Sequence, residues 1–229
     1  MSAVLLHTTN ANICAMPKHT LLNPAHATAL QITDLSGGPG PSPLFHALSL
    51  NVPAGVTAVT GDEGTGKTSL LRLLATDLSP ISGRLATASA AWPDQASVYR
   101  QQVFWADLKS PEHDDTLVQA RWDALRPSYP HWNDALLQGL VQALDLTPHL
   151  HKRLNMLSTG SRRKVMIAAA LASGATVTLL DQPFVSLDVA SIRIIKGFLN
   201  EAATQPSRAW IVADYEAPSD VTLTSVLDL

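Results

Sequence analysis

At 229 residues with a formal charge of −3, the chain has room for one large domain or a core carrying an insertion, and it lacks the basic stripes that a phosphate backbone selects, which excludes nucleic acid as a partner. Hydrophobic residues make up 46% and charged residues 15%, yet no run approaches the roughly 20 apolar residues of a spanning helix, so any membrane association must pass through a partner. The single cysteine, Cys14, excludes an internal disulfide and fits a reducing compartment.

Met1–Thr28 shows no strand or helix periodicity and no basic segment ahead of a long apolar run; it reads as a loosely ordered extension and not as a secretory leader. From residue 29 the pattern becomes regular. Gln31–Asp34 and Leu44–Val52 read as strands around the Gly/Pro/Ser loop Ser36–Pro43, and Val56–Thr60 as a fully buried strand. A helix is predicted over Lys67–Thr76, with Leu70, Leu71, Leu73 and Leu74 on its inner side and Pro80, Ser82 and Gly83 beyond its end. Strands are predicted at Leu85–Ala90 and Val103–Ala106. Between Asp115 and Leu171 the signal is helical: Thr116–Leu125, Asn133–Leu146 and a third helix from Ser158. Strands return at Val177–Leu180, Trp210–Ala213 and Thr222–Leu227, with a helix at Val189–Glu201. An α/β parallel-sheet core holding an inserted helical lobe accounts for this order.

The sharpest motif is Gly61-Asp62-Glu63-Gly64-Thr65-Gly66-Lys67-Thr68, followed by Ser69, between a predicted strand and a predicted helix. Its pattern is that of a P-loop, in which glycines let the backbone wrap closely around phosphates, the helix N-terminus favours the anion, the lysine reaches the β- and γ-phosphates and the hydroxyl ligates Mg2+. Lys67 and Thr68 hold those positions. ATP and Mg2+ are therefore the expected ligands. Asp181 ends an apolar strand, where a helix N-cap is the alternative reading; paired with a P-loop it is the candidate metal carboxylate, beside Thr68. Leu157-Ser158-Thr159-Gly160-Ser161 opens another apolar helix.

Together these three motifs resemble the ATP-binding cassette of ABC transporters, whose signature L-S-G-G-Q precedes such a helix. The resemblance covers about residues 30 to 229 and implies a P-loop (RecA-like) parallel-sheet core, an antiparallel β subdomain and a helical subdomain over about 109–172. It further implies that Ser158, Gly160 and Ser161 face the nucleotide of a second cassette, in a homodimer or heterodimer, and that Ser186-Leu187-Asp188 is a dimer-interface loop. A permease in the membrane and a place on its cytoplasmic face follow from the same resemblance. Tyr129-Pro-His-Trp132-Asn and the form L-S-T-G look like the exporter branch that includes haem exporters and ABC-2 drug exporters, although Tyr129 and Trp132 read equally as packing residues of the helical lobe.

Beside Thr159 and Ser161, which replace the signature's second glycine and its glutamine, three positions expected at the γ-phosphate depart from the family pattern. Gln182 stands where the resemblance places the glutamate that activates water, Asp214 where it places a histidine, and Asp107 where it places the glutamine linking metal to membrane subunit, with Gln102 an offset alternative. An amide orients water but is too weak a base to take its proton, and a carboxylate repels a γ-phosphate. The expected protein therefore binds ATP better than it cleaves it: an impaired energy-coupling ATPase, or else an ATP-gated module that regulates or scaffolds a membrane partner. Phe45 is the one aromatic before the P-loop expected to stack on adenine. Arg162-Arg163-Lys164 reads as a solvated or ATP-facing cluster.

Overall fold

The computed structural model describes residues 17–22, 26–108 and 110–229. Its main sheet has six strands in the order β1 (Lys18–Leu21), β10 (Ser225–Asp228), β4 (Gly55–Thr60), β9 (Ala209–Ala213), β8 (Val177–Asp181) and β7 (Val103–Phe104). All pairs are parallel except β1 with β10. A second, antiparallel sheet runs β3 (Phe45–Pro53), β2 (Thr28–Gly37), β5 (Ser82–Ala86) and β6 (Ala91–Trp92).

Strands β8 and β9 are buried along their whole length, as strands covered on both faces must be. Because successive side chains point to opposite faces, Trp210, Val212 and Leu180 enter one core, while Ile211, Leu179 and Val177 enter another. The first core is shared with α3 (Val118–Leu125), α4 (Asp134–Ala143), α5 (Thr159–Ala172) and α6 (Val189–Ala202). The second is shared with the leucines of α1 (Lys67–Leu74) and the antiparallel sheet. Tyr129 and Trp132 pack in the helical core, Tyr129 against Phe104 at 5.1 Å between ring centroids.

Several expectations shift. Lys18–Leu21 of the supposed extension is an edge strand, its backbone groups satisfied by β10; Cys14 and the rest of residues 1–16 lie outside the described residues. The strand expected over Leu85–Ala90 covers only the last two residues of β5 and then the turn that leads into β6, in which the Thr87 amide donates to the Ala90 carbonyl at 2.9 Å. Between β6 and β7 lies α2 (Ala96–Gln102), which buries only Tyr99 and so carries no helical periodicity.

Candidate functional site

Strands β4, β8 and β9 end at one edge of the sheet, where an open parallel sheet places its ligands. From β4 the chain turns through Gly61 (φ 140°), Gly64 (φ 81°) and Gly66 (φ 103°) into α1. Side-chain-bearing residues rarely take such angles. Gly61 is also closely approached: a Cβ there would lie 2.7 Å from the Leu229 carbonyl oxygen, and the Leu229 amide donates to Thr60 at 3.0 Å.

Lys67 is 7% exposed. Its ammonium donates to the carbonyls of Gly61 and Asp62, each at 2.6 Å, and lies 4.9 Å from the centroid of the Tyr215 ring. The Thr68 hydroxyl donates to Asp181 Oδ2 at 2.7 Å, joining the first turn of α1 to the end of β8. A hydroxyl and a carboxylate brought together in this way are hard oxygen donors of the kind a divalent cation takes, so the residues fit Mg2+. A cavity of about 580 Å3 is lined by Glu63, Gly64, Gly66, Lys67, Thr68, Ser69, Asp181, Gln182 and Tyr215, and by the 39–44 loop on its far side. That is the size range of a small-molecule site, roughly 300–1,000 Å3.

Gln182 adopts φ 47°. Its backbone N–H donates to the Ala213 carbonyl at 2.8 Å and its backbone carbonyl accepts from Arg163 Nη2 at 2.9 Å. Asp214 follows β9: its amide donates to Val59 at 3.0 Å, and its carboxylate accepts from the Tyr215 amide at 2.8 Å. Tyr215, which the sequence did not single out, lines the cavity while Asp214 does not. Asp107 follows β7 in a separate groove with Trp105, His113, Arg121 and Arg162. Gln102 is excluded as its alternative, since it precedes β7 and accepts from Thr176 at 2.6 Å at the opposite edge of the sheet. Phe45 is buried against Gly66 in the core and offers no face to a base, which corrects its expected stacking role.

Ser158 caps α5, its hydroxyl oxygen accepting from the Ser161 amide at 3.1 Å and its hydroxyl donating to Ser161 Oγ at 3.0 Å. A Cβ at Gly160 would collide with the Ser186 carbonyl. Ser158, Gly160 and Ser161 are not among the residues lining the P-loop cavity. The basic run after them is internally paired instead of solvated: Arg162 with Asp114 at 2.7 Å, Arg163 with the Gln182 carbonyl, and Lys164 with Asp188 at 2.6 Å. The Lys164 bond, and then the amide and hydroxyl of Ser191, hold the Asp188 carboxyl far below its usual range while it caps α6. The one sequence signal for Arg163 is its position on the buried stripe of Ile167 and Ala170.

A family model described as ABC transporter matches residues 45–185. The chain is 35% identical to the cytochrome c biogenesis ATP-binding export protein CcmA of Zymomonas mobilis, over 66% of this chain and 63% of that one, just under two thirds of the relative's length. It is 30% identical to the protein of the same description from Nitrosococcus oceani, over 81% of this chain and 85% of that one. A solved ATP-binding subunit of an ABC transporter shares the fold with a TM-score of 0.71 at 20% identity, covering 81% of this chain and 79% of the other. The matched region runs from β3 through the P-loop, the signature helix and the Asp181 strand, and the chain belongs to the ABC transporter family as one of its ATP-binding subunits.

Proposed function

We propose that the chain binds Mg2+-ATP at Gly61–Thr68 and Asp181, hydrolyses it slowly, and couples that cycle to export through a membrane permease. The observation that carries this reading is the Thr68–Asp181 hydrogen bond beside the buried Lys67 ammonium in one cavity. The cassette comprises 29–229, with a helical subdomain over about 109–172 and β1 added to its sheet from the preceding segment. Lys67 would contact the β- and γ-phosphates; Thr68 and Asp181 would hold Mg2+, which when bound offsets phosphate charge. Gln182 orients water without taking its proton, and the Asp214 carboxylate adds negative charge near the γ-phosphate. Export is supported by likeness to relatives named as export proteins. Among the described residues no helix is long and apolar enough to cross a membrane, and attachment is proposed at the cytoplasmic face through the permease.

Gln182 and Asp214 also favour a second reading, an ATP-gated module that turns over scarcely at all and regulates or scaffolds a membrane partner. Calorimetric ATP titration and steady-state phosphate release, on wild type and Lys67→Ala, separate the two. Losing the charged contact should cost about 1.5–3 kcal/mol, weakening ATP at least about tenfold. Unchanged affinity in Lys67→Ala rejects the site. Slow but measurable release supports the coupled ATPase; release indistinguishable from that of Lys67→Ala supports the gated module.

A further inference from the structure

Among the described residues no charged side chain is more buried than Arg163, at 3% exposure. It rises from α5, the helix opened by Ser158, and its guanidinium reaches the carbonyl of Gln182, leaving Nε without a hydrogen-bond partner. A cation so removed from water needs negative charge nearby. The sheet order supplies it: β7, β8 and β9 lie side by side, Asp107 follows the first, Asp181 ends the second and Asp214 follows the third. Gln182, the residue Arg163 grips, stands between two of them, directly after Asp181 and hydrogen-bonded to the residue before Asp214. Burial lowers the proton affinity of the guanidinium, and the charges of Asp181, Asp107 and Asp214 offset that lowering only in part. Two of these carboxylates, Asp107 and Asp214, occupy positions where the family pattern has uncharged or basic groups. A site with that acidic excess would repel a triphosphate unless a cation offset it.

We propose that Arg163 is a positioning residue for the nucleotide site, fixing the backbone of Gln182 from the signature helix of the same subunit and supplying the positive charge that offsets Asp181 in the cavity wall and Asp107 and Asp214 behind it, so that a γ-phosphate is tolerated there. The inference rests on the ATP-binding reading above. Arg163→Gln keeps an N–H donor for the Gln182 carbonyl and removes the charge, whereas Arg163→Lys keeps the charge. ATP and ADP affinities are measured by calorimetry on both variants, on Asp214→Asn and on Arg163→Gln/Asp214→Asn, with folding checked by circular dichroism. Arg163→Gln should weaken ATP about tenfold and ADP by much less, because the γ-phosphate carries the extra charge nearest the carboxylates. Arg163→Lys should stay near wild type, and adding Asp214→Asn to Arg163→Gln should restore most of the lost ATP affinity, which a purely structural role would not do. Asp214→Asn alone should tighten ATP more than ADP, and this holds as a test even if Arg163→Gln fails to fold. Equal losses for ATP and ADP unmoved by Asp214→Asn, or an Asp214→Asn protein with wild-type affinities, overturn the proposal. A wild type that binds ATP in the Lys67-dependent way but shows either of those results removes this inference alone; one that binds no ATP removes the functional reading itself.

Discussion

Gln182, proposed above to stand where a catalytic carboxylate would be useful, is held by two hydrogen bonds to its backbone and in a left-handed conformation. That tether is independent of the side chain, so a glutamate installed there should project from the same backbone. A general base contributes about 10²–10⁴-fold, equivalent to roughly 3–5 kcal/mol of barrier. Gln182→Glu should therefore speed single-turnover hydrolysis, and Asp214→His added to it should speed it further, with the two effects non-additive because both act at the γ-phosphate. Gln182→Glu, which adds a carboxylate, should weaken ATP binding somewhat, and Asp214→His, which removes one, should offset that loss. A wild type turning over at an ordinary rate of order 1–10 s⁻¹, with no gain from Gln182→Glu, would mean that another residue is the base. The P-loop was readable because its groups are contiguous in sequence. Tyr215 and Arg163 were not, because their places at the site follow from which strands and helices become neighbours, and Phe45 was misread because nothing local revealed that its ring packs beneath Gly66.

The start of α6 depends on Asp188, which accepts from the amide and hydroxyl of Ser191 at 2.8 and 2.9 Å and pairs with Lys164 on α5. Its folded proton affinity is lowered, so the unfolded chain binds more protons over the window between the two values and stability rises with pH there. The contribution is fully present above the ordinary carboxylate value of about 3.9 and is lost as pH falls through the folded value. The difference in melting temperature between wild type and Asp188→Asn, which keeps the cap but loses the ion pair, should be flat from neutral pH to about 4 and shrink only below it. Shrinkage already at pH 5 or above would show that Lys164 does not hold the carboxylate. Element by element, β4, β8 and β9 were legible as unbroken apolar runs, and α5 as an apolar helix after a Ser cap. Elements stabilised by distant partners were not: β1 exists because of β10, far along the chain, and β6 because of a turn made by Thr87 and Ala90.

At the scale of the whole subunit, the signature end of α5 lies apart from the P-loop cavity. Val185 and Val189, which flank Asp188, stay exposed. A helix N-terminus suited to an anion, with an apolar flank beside it, fits a head-to-tail pairing in which each Ser158 meets the other subunit's γ-phosphate. Sedimentation should show association with Mg2+-ATP and not with ADP. Ser158→Arg should abolish the association while leaving ATP affinity of the single subunit unchanged; an arginine variant that still pairs would place the interface elsewhere. The main sheet adds a temporal constraint. Its β10 is wedged between β4 and β1, and the residue after it, Leu229, braces the first glycine of the P-loop. Of the described strands β1 leaves the ribosome first and β10 last. A nascent chain still short of residue 225 would carry the P-loop and the helical lobe in full, but its central sheet would lack the strand beside β4 and its phosphate loop the brace at Gly61, so competence for nucleotide would wait until β10 has been made and has paired.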